Sequence, residues 1–146
     1  MNGRWWRHRR DRGSASLETV VLAPPLLLLI GLAAVGMRVQ DAKSAIEAAA
    51  YDAARAASIS RTTGTAQSRA STAADIALSQ GGLRCANLSV SVNTAEFARQ
   101  VGQPANVYVT VTCDVILADL GVPGLPGTRR LTATFTSPLD LYRGRL

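Results

Sequence analysis

The sequence has very few of the side chains that most catalytic and metal sites use. Its 146 residues include one histidine, His8, and two cysteines. A Ser-His-Asp triad or a histidine-containing zinc site would need an imidazole in the main part of the chain, and none follows residue 8. We therefore predict no metal site, no cofactor and no enzymatic activity.

Two other kinds of catalytic or binding site receive little support. Asp114 and Asp119 stand near the end of a predicted strand, where paired carboxylates could act as acid and base, but solvation is the simpler role for them. The glycines between Gly121 and Gly127 are interrupted by prolines, which lack the backbone N–H groups of a phosphate-binding loop.

The basic charge is concentrated at the N-terminus. The net charge is +6, and residues 1–13 contain five arginines and one aspartate. A nucleic-acid-binding protein carries such a cluster on its folded domain, whereas this one adjoins an apolar run. We predict no nucleic-acid partner.

The apolar run, Thr19 to Met37, contains nineteen residues without a charge. As a helix it would be about 28 Å long, close to the roughly 30 Å thickness of the membrane hydrocarbon. A cleaved secretory signal and a buried core helix are the alternatives. No clear small-residue cleavage site ends the run, and the arginine-rich flank disfavours a core helix. The positive-inside rule then predicts a single-pass protein in contact with lipid, its N-terminus cytoplasmic and its C-terminal domain extracytoplasmic.

Pro24 and Pro25 predict a kink in this helix, either merely tolerated or used for packing in a bundle.

Glu18 is an unusual residue for the start of a membrane helix, where an ionised group costs roughly 2.5–3.5 kcal/mol and requires a partner. It stands five residues after Gly13, in Gly-Ser-Ala-Ser-Leu-Glu. The stretch from Arg12 to about Met37, with its glycine, glutamate and proline at these offsets, resembles the TadE-like family of tight-adherence pilus systems. Thr19 and the doubled proline depart from the family pattern.

This resemblance implies that a prepilin peptidase cuts between Gly13 and Ser14 and leaves the apolar helix attached. Glu18 would then pair with the new α-amine of a neighbouring subunit. The simpler alternative is that Glu18 complements the helix dipole, worth about 0.3–1 kcal/mol. The implied partners are other pilin-like subunits, the pilus assembly platform and the prepilin peptidase. Whether the chain enters a surface pilus or only primes its assembly stays open.

The rest of the chain predicts helices followed by strands. Small and apolar residues at three- and four-residue intervals continue the first helix to near Ser58, as a stripe that either bundles subunits or packs on the protein's own domain. The stripe comprises Val39, Ala42, Ile46, Ala49, Ala50, Ala53 and Ala57. The remaining predicted segments are a turn over 60–64, a helix over 65–79, strands over 88–92, 107–113 and 131–135, and a loop over 120–128.

The predicted fold class is therefore α+β and pilin-like: a long membrane-spanning helix continuing into an amphipathic stalk, a second helix, and a small three-stranded antiparallel sheet. The expected domains are a basic leader (1–13), a transmembrane helix (14–37), a helical stalk (38–80) and an extracytoplasmic β-rich domain (81–146). In such an exported domain Cys85 and Cys113 predict a disulfide, with two free thiols as the alternative.

The resemblance predicts a minor pilin-like subunit whose action is assembly. The alternative is a membrane-tethered extracytoplasmic domain that binds a ligand or partner and has no connection with pili.

Overall fold

The computed structural model describes residues 12–116, 118 and 127–142, with side chains from Glu18 onward. Residues 1–11 of the predicted leader, Asp119 and most of the predicted 120–128 loop lie outside this range. The element order is α1 (Arg12–Ser58), α2 (Thr63–Gln80), β1 (Cys85–Asn93), a 3₁₀ helix (Ala95–Ala98), β2 (Asn106–Ile116) and β3 (Thr128–Pro138). This confirms the predicted α+β fold, with its long first helix, second helix and three strands.

The chain divides into two compact units, residues 1–37 and Arg38–Leu146, which are described separately. We call the second the head unit. The described part of the first unit is a stretch of α1 whose apolar side chains are exposed, from Val20 (69% exposed) to Leu32 (75% exposed).

A capping box fixes the start of α2. The backbone N–H of Thr65 donates to the Thr62 hydroxyl (3.2 Å), and the N–H of Thr62 donates to the Thr65 hydroxyl (3.3 Å). These bonds satisfy two donors that a helix start leaves open, so the helix begins at Thr63, two residues before the predicted start. It ends at Gln80, and Gly82 turns the chain away with a positive φ of 68°.

The sheet is antiparallel in the order β1-β2-β3, which makes β2 the central strand. All three strands run further than their alternating apolar segments predicted. The β2–β3 ladder continues to Thr128, opposite Ile116, because polar and charged residues at the strand ends pair through their backbone as apolar ones do. One sheet face carries the fully buried side chains of the central strand: Val107, Val109, Val111, Cys113 and Val115.

The core of the head unit joins this sheet face to buried alanines on both helices. On α2 the buried residues are Ala66, Ala70, Ala74 and Leu78. On α1 they include Ala42, Ile46, Ala49, Ala50, Ala53 and Ala57, six of the seven residues of the predicted stripe. Of the two roles open to the stripe, the structure shows packing on the protein's own domain.

The residue that follows α2 lies very close to α1, and the residues in contact there are small. A Cβ atom added to Gly81 would lie 2.9 Å from the Cβ of Ala45, closer than side-chain carbons pack. The alanine side chains of α1 therefore leave little space for a larger residue.

We expect Ala49→Leu to lower the free energy of unfolding of the head unit by about 1–3 kcal/mol, because Ala49 is fully buried and the larger side chain overpacks the core. The neighbouring Ala48 is exposed, so Ala48→Leu should change stability by no more than about 0.5 kcal/mol. Pulse proteolysis of the full chain across a urea series measures both. Equal destabilisation by the two variants would contradict this packing.

Candidate functional site

The predicted processing residues lie at the start of α1 as the structure describes it. Gly13 and Ser14 both have helical backbone. Glu18 follows Ser14 by four residues in the same helix, and this spacing places their backbone positions on one helical face. The helix thus puts the proposed new N-terminus and the carboxylate one turn apart.

The Glu18 side chain is exposed and stands at one end of an apolar stripe. With Thr19 and Ala23 it lines a shallow surface depression that continues to Leu22 and Leu26, at four-residue steps. Glu18 is therefore a charged residue at the end of an exposed apolar helix face.

The apolar side chains of this stretch of α1 are exposed in the part of the chain that the structure describes. Within the described residues, α1 is the one helix long and apolar enough to cross a membrane, and none of its most apolar eighteen-residue window is buried. Large contiguous apolar patches on proteins mark membrane or protein contacts. This helix fits a single-pass membrane protein. Pro24 and Pro25 lie within it, and the predicted kink at these prolines stays a prediction.

The predicted disulfide is present and joins the first residue of β1 to the central strand. Cys85 and Cys113 are bonded, with their Cα atoms 5.3 Å apart. The β1–β2 register shifts between Cys85 and Asn87, which is the mark of a β-bulge. The covalent bond therefore holds β1 to β2 at the place where the ladder is interrupted.

Asp114 has a defined partner, where the sequence suggested mere solvation. Arg130 of β3 lies directly opposite it in the ladder, and the guanidinium donates two hydrogen bonds to its carboxylate, at 2.8 and 3.3 Å. Hydrogen bonding from Arg130 is the largest effect and lowers the pKa of Asp114. Burial is the second-largest effect and raises this pKa, while the charge of Arg130 and hydrogen bonding from Asn87 lower it further. The Asp114 carboxylate is thus held in its ionised form and makes a structural ion pair with Arg130. Asp119, its suggested catalytic partner, lies outside the described residues.

The Asp114–Arg130 pair should stabilise the head unit at neutral pH and lose its effect in acid. Because the folded-state pKa of Asp114 lies below the ordinary value of 3.8, the contribution is complete above that value and disappears as pH falls through the folded-state pKa. Its size should be small, because the Arg130 side chain is 71% exposed. Urea midpoints of the natural chain and Asp114→Asn, measured near neutral pH and at about pH 2, should converge in acid. A difference that grows on acidification would contradict this pairing.

The structure also shows features that sequence reasoning missed. A groove of about 660 Å³ lies between the end of α2 and the start of β1, and its polar lining comes from Asp75, Ser79 and Arg84. A 3₁₀ helix follows β1, and its Glu96 accepts a hydrogen bond from the backbone N–H of Asn106 (2.6 Å). The Asn93 side chain, which accepts from the N–H of Ala95, was the available signal for this turn.

Among the residues described, no cluster of histidine, cysteine and carboxylate side chains could hold a metal ion.

Comparison with known protein families supports the interpretation of α1. The family described as TadE-like protein matches residues 13–55, which is less than a third of the chain. The match begins at Gly13, covers the apolar helix and extends along the alanine stripe of the head unit. This confirms the resemblance predicted from the residues around Glu18. No curated protein and no solved structure matches the chain.

Proposed function

We propose that this chain is a minor pilin-like subunit, TadE-like in kind, that takes part in assembling a tight-adherence type IV pilus or a related secretion machine. A prepilin peptidase would cut it between Gly13 and Ser14. The apolar helix would remain as the membrane anchor and as the element that associates with other subunits.

One observation carries this proposal: the family match begins at Gly13 and runs through the apolar stretch of α1, which is exposed among the residues that the structure describes. A TadE-like match indicates a pilin-like protein of a tight-adherence pilus. The exposed helix supplies what such a protein needs, namely an apolar surface available to lipid before assembly and to neighbouring helices afterwards.

Glu18 fits this scheme because it meets an electrostatic need of the processed chain. Cleavage at Gly13 creates a cationic α-amine on Ser14, one turn from Glu18 along the helix. In a bundle, the Glu18 carboxylate of one subunit would neutralise the α-amine of its neighbour. That pairing would compensate two opposite charges within an apolar environment and fix how far one helix is displaced along another.

The proposed topology follows from charge. The arginines of residues 1–13 would keep the N-terminus in the cytoplasm, residues 14–37 would cross the membrane, and residues 38–80 and 81–146 would form the extracytoplasmic stalk and β-rich domain. The disulfide suits an oxidising compartment outside the cytoplasm. The partners would be other pilin-like subunits, the assembly platform and the peptidase.

The proposed action involves no turnover of a substrate. TadE-like pilins are structural proteins, and the ion pair of Asp114 with Arg130 gives that carboxylate a structural role. The chain would contribute contacts and position to an assembly.

Co-expression with and without a prepilin peptidase tests the proposed cut. We expect intact mass to show the loss of residues 1–13 only when the peptidase is present. Gly13→Leu should block this loss, because the larger side chain obstructs the approach of the peptidase to the scissile bond. Gly31→Leu is the matched control, since a side chain added there meets no atom within 4 Å, and it should be cut normally.

The alternative function gives the opposite result in the same experiment. A membrane-tethered domain that binds a ligand or partner, unconnected with pili, would keep residues 1–13 whether or not the peptidase is present. Cleavage of Gly13→Leu as efficient as that of the natural chain would also contradict the proposed site.

A further inference from the structure

The two cysteines of the disulfide lie in different surroundings. Cys85 is the first residue of β1, which is an edge strand, and it is half-buried. Cys113 lies in the central strand β2, on the sheet face that packs into the core, and is fully buried. A reactive group that approaches from solvent therefore meets Cys85 before it meets Cys113.

A groove in the surface of the head unit reaches Cys85. It is the cavity of about 660 Å³ between the end of α2 and the start of β1, and Cys85 is among the residues that line it. This volume lies within the range of about 300–1,000 Å³ that is typical of binding sites. Cys113 is not among the lining residues, so the groove gives access to the Cys85 end of the disulfide.

The lining of the groove suits a segment of another protein. Leucines supply apolar surface and polar residues supply hydrogen-bonding groups: Leu78, Leu83 and Leu88, with Asp75, Ser79 and Arg84. Apolar contacts accompanied by polar ones are typical of protein–protein interfaces. The acidic and the basic side chain balance each other, so the groove is not suited to phosphate or another strongly anionic ligand.

The chemistry available in the groove identifies the kind of protein that would occupy it. Of the lining residues, Cys85 alone can take part in thiol–disulfide exchange, in which a thiolate attacks a disulfide and a mixed disulfide forms. The ladder is also interrupted there, because the register of β1 against β2 shifts between Cys85 and Asn87. A bulge of this kind disrupts the ladder locally, so the Cys85 end of β1 can move while the rest of the sheet stays paired.

We propose that a thiol–disulfide oxidoreductase docks in this groove and forms the Cys85–Cys113 bond in the folded head unit, by reaction at Cys85. The Cys85 thiolate attacks one sulfur of the oxidoreductase disulfide, which breaks, and the other sulfur of that disulfide leaves as a thiolate. The Cys113 thiolate then attacks the Cys85 sulfur of the mixed disulfide and releases the oxidoreductase as a dithiol. Both thiols of the chain lose their protons to water, and the two electrons they give up reduce the oxidoreductase disulfide. None of these steps requires cleavage at Gly13.

Two single-cysteine variants of the full chain, in detergent micelles, test which cysteine reacts. The probe is an oxidoreductase of the Cys-X-X-Cys type in which one active-site cysteine remains and carries thionitrobenzoate, whose release is followed by absorbance. Cys113→Ala, which keeps Cys85, should form the mixed disulfide about tenfold or more faster than Cys85→Ala, because the buried Cys113 reacts only when the sheet opens. In concentrated urea the two variants should react at the same rate.

The reduced natural chain provides a check that keeps both side chains. Treatment with iodoacetamide under native conditions, followed by peptide mass analysis, should show that Cys85 is alkylated well before Cys113. Equal rates for the two cysteines in the natural chain without urea would overturn the inference, and so would equal rates for the two single-cysteine variants.

A groove-filling substitution separates docking from simple exposure of the sulfur. In the Cys113→Ala chain, Ser79→Trp should slow the reaction with the oxidoreductase probe by about tenfold, because the larger side chain occupies the groove. Ser68→Trp is the matched control, since Ser68 is an exposed serine on the same helix and is not a lining residue, and the rate should not change. A rate that Ser79→Trp leaves unchanged, or that both substitutions lower equally, would overturn docking in the groove.

Discussion

Loss of the Cys85–Cys113 disulfide is expected to lower the free energy of unfolding of the head unit by roughly 3–4 kcal/mol, on the chain-entropy estimate for a loop of this size. The two cysteines are 28 residues apart, and the bond closes a loop that contains all of β1, the 3₁₀ helix and most of β2. Small domains are stable by only about 5–15 kcal/mol, so such a loss is a large fraction of the total.

The position of the bond strengthens this expectation. It lies at the β1–β2 bulge, where the ladder is disrupted and its hydrogen bonds hold the edge strand β1 less firmly. Without the bond, β1 would be held by the rest of its ladder and by its contacts with α2. We therefore expect the start of β1 to open first, visible as faster amide exchange at Cys85–Leu88 than at Val90–Asn93.

Pulse proteolysis of Cys85→Ala/Cys113→Ala in urea measures the loss of stability. The reduced natural chain is the control, because it lacks the bond but keeps the packing of Cys113, which is fully buried. Agreement between the two to within about 1 kcal/mol assigns the effect to the cross-link rather than to a cavity. A reduced chain as stable as the oxidised one would show that the bond does not hold the fold.

The second large effect is expected at Glu18. Glu18→Gln should lower the yield of assembled pili by about tenfold or more, because the α-amine of a neighbouring subunit would lose its counter-charge in an apolar environment, and 1.4 kcal/mol already corresponds to a factor of ten. The substitution removes the charge but keeps the size of the side chain and one acceptor oxygen. Because Glu18 lies outside the head unit, the stability of that unit should not change.

Glu47→Gln is the matched control for this variant, because Glu47 is an exposed glutamate on the same helix but lies in the head unit. Pili sheared from cells and quantified by immunoblot give the yield, and membrane fractions give the amount of subunit available. If Glu18→Gln and Glu47→Gln yield the same amount of pili, Glu18 does not pair with a neighbour. The helix-dipole role would then be enough to account for it.

The sequence predicted the elements with strong periodicity and missed those that depend on tertiary pairing. The three- and four-residue spacing of the α1 stripe predicted a helix ending near Ser58, and the structure ends it there. The strand cores were visible as alternation, but their ends were not, because residues such as Thr128 and Arg129 pair through backbone groups that carry no sequence pattern. The 3₁₀ helix is too short to show a period.

In the candidate site, too, features with a sequence pattern were predictable and features that depend on tertiary pairing were not. The disulfide was predictable because two cysteines in an exported domain allow one pairing. The Asp114–Arg130 ion pair could not be predicted, because the two residues are sixteen apart in sequence and meet only through the register of β2 against β3. The stripe of α1 was ambiguous for a physical reason: small residues favour close helix packing equally within a domain and between subunits.

The N-terminus of the mature chain is the most direct test of the central claim, that a peptidase removes residues 1–13 and leaves the apolar helix in place. N-terminal sequencing and intact mass should be measured on the natural chain taken from membranes and from sheared surface material. The account predicts a chain that begins at Ser14 and extends through α1. A mature chain that still begins at Met1, or one that begins after Arg38, would contradict it.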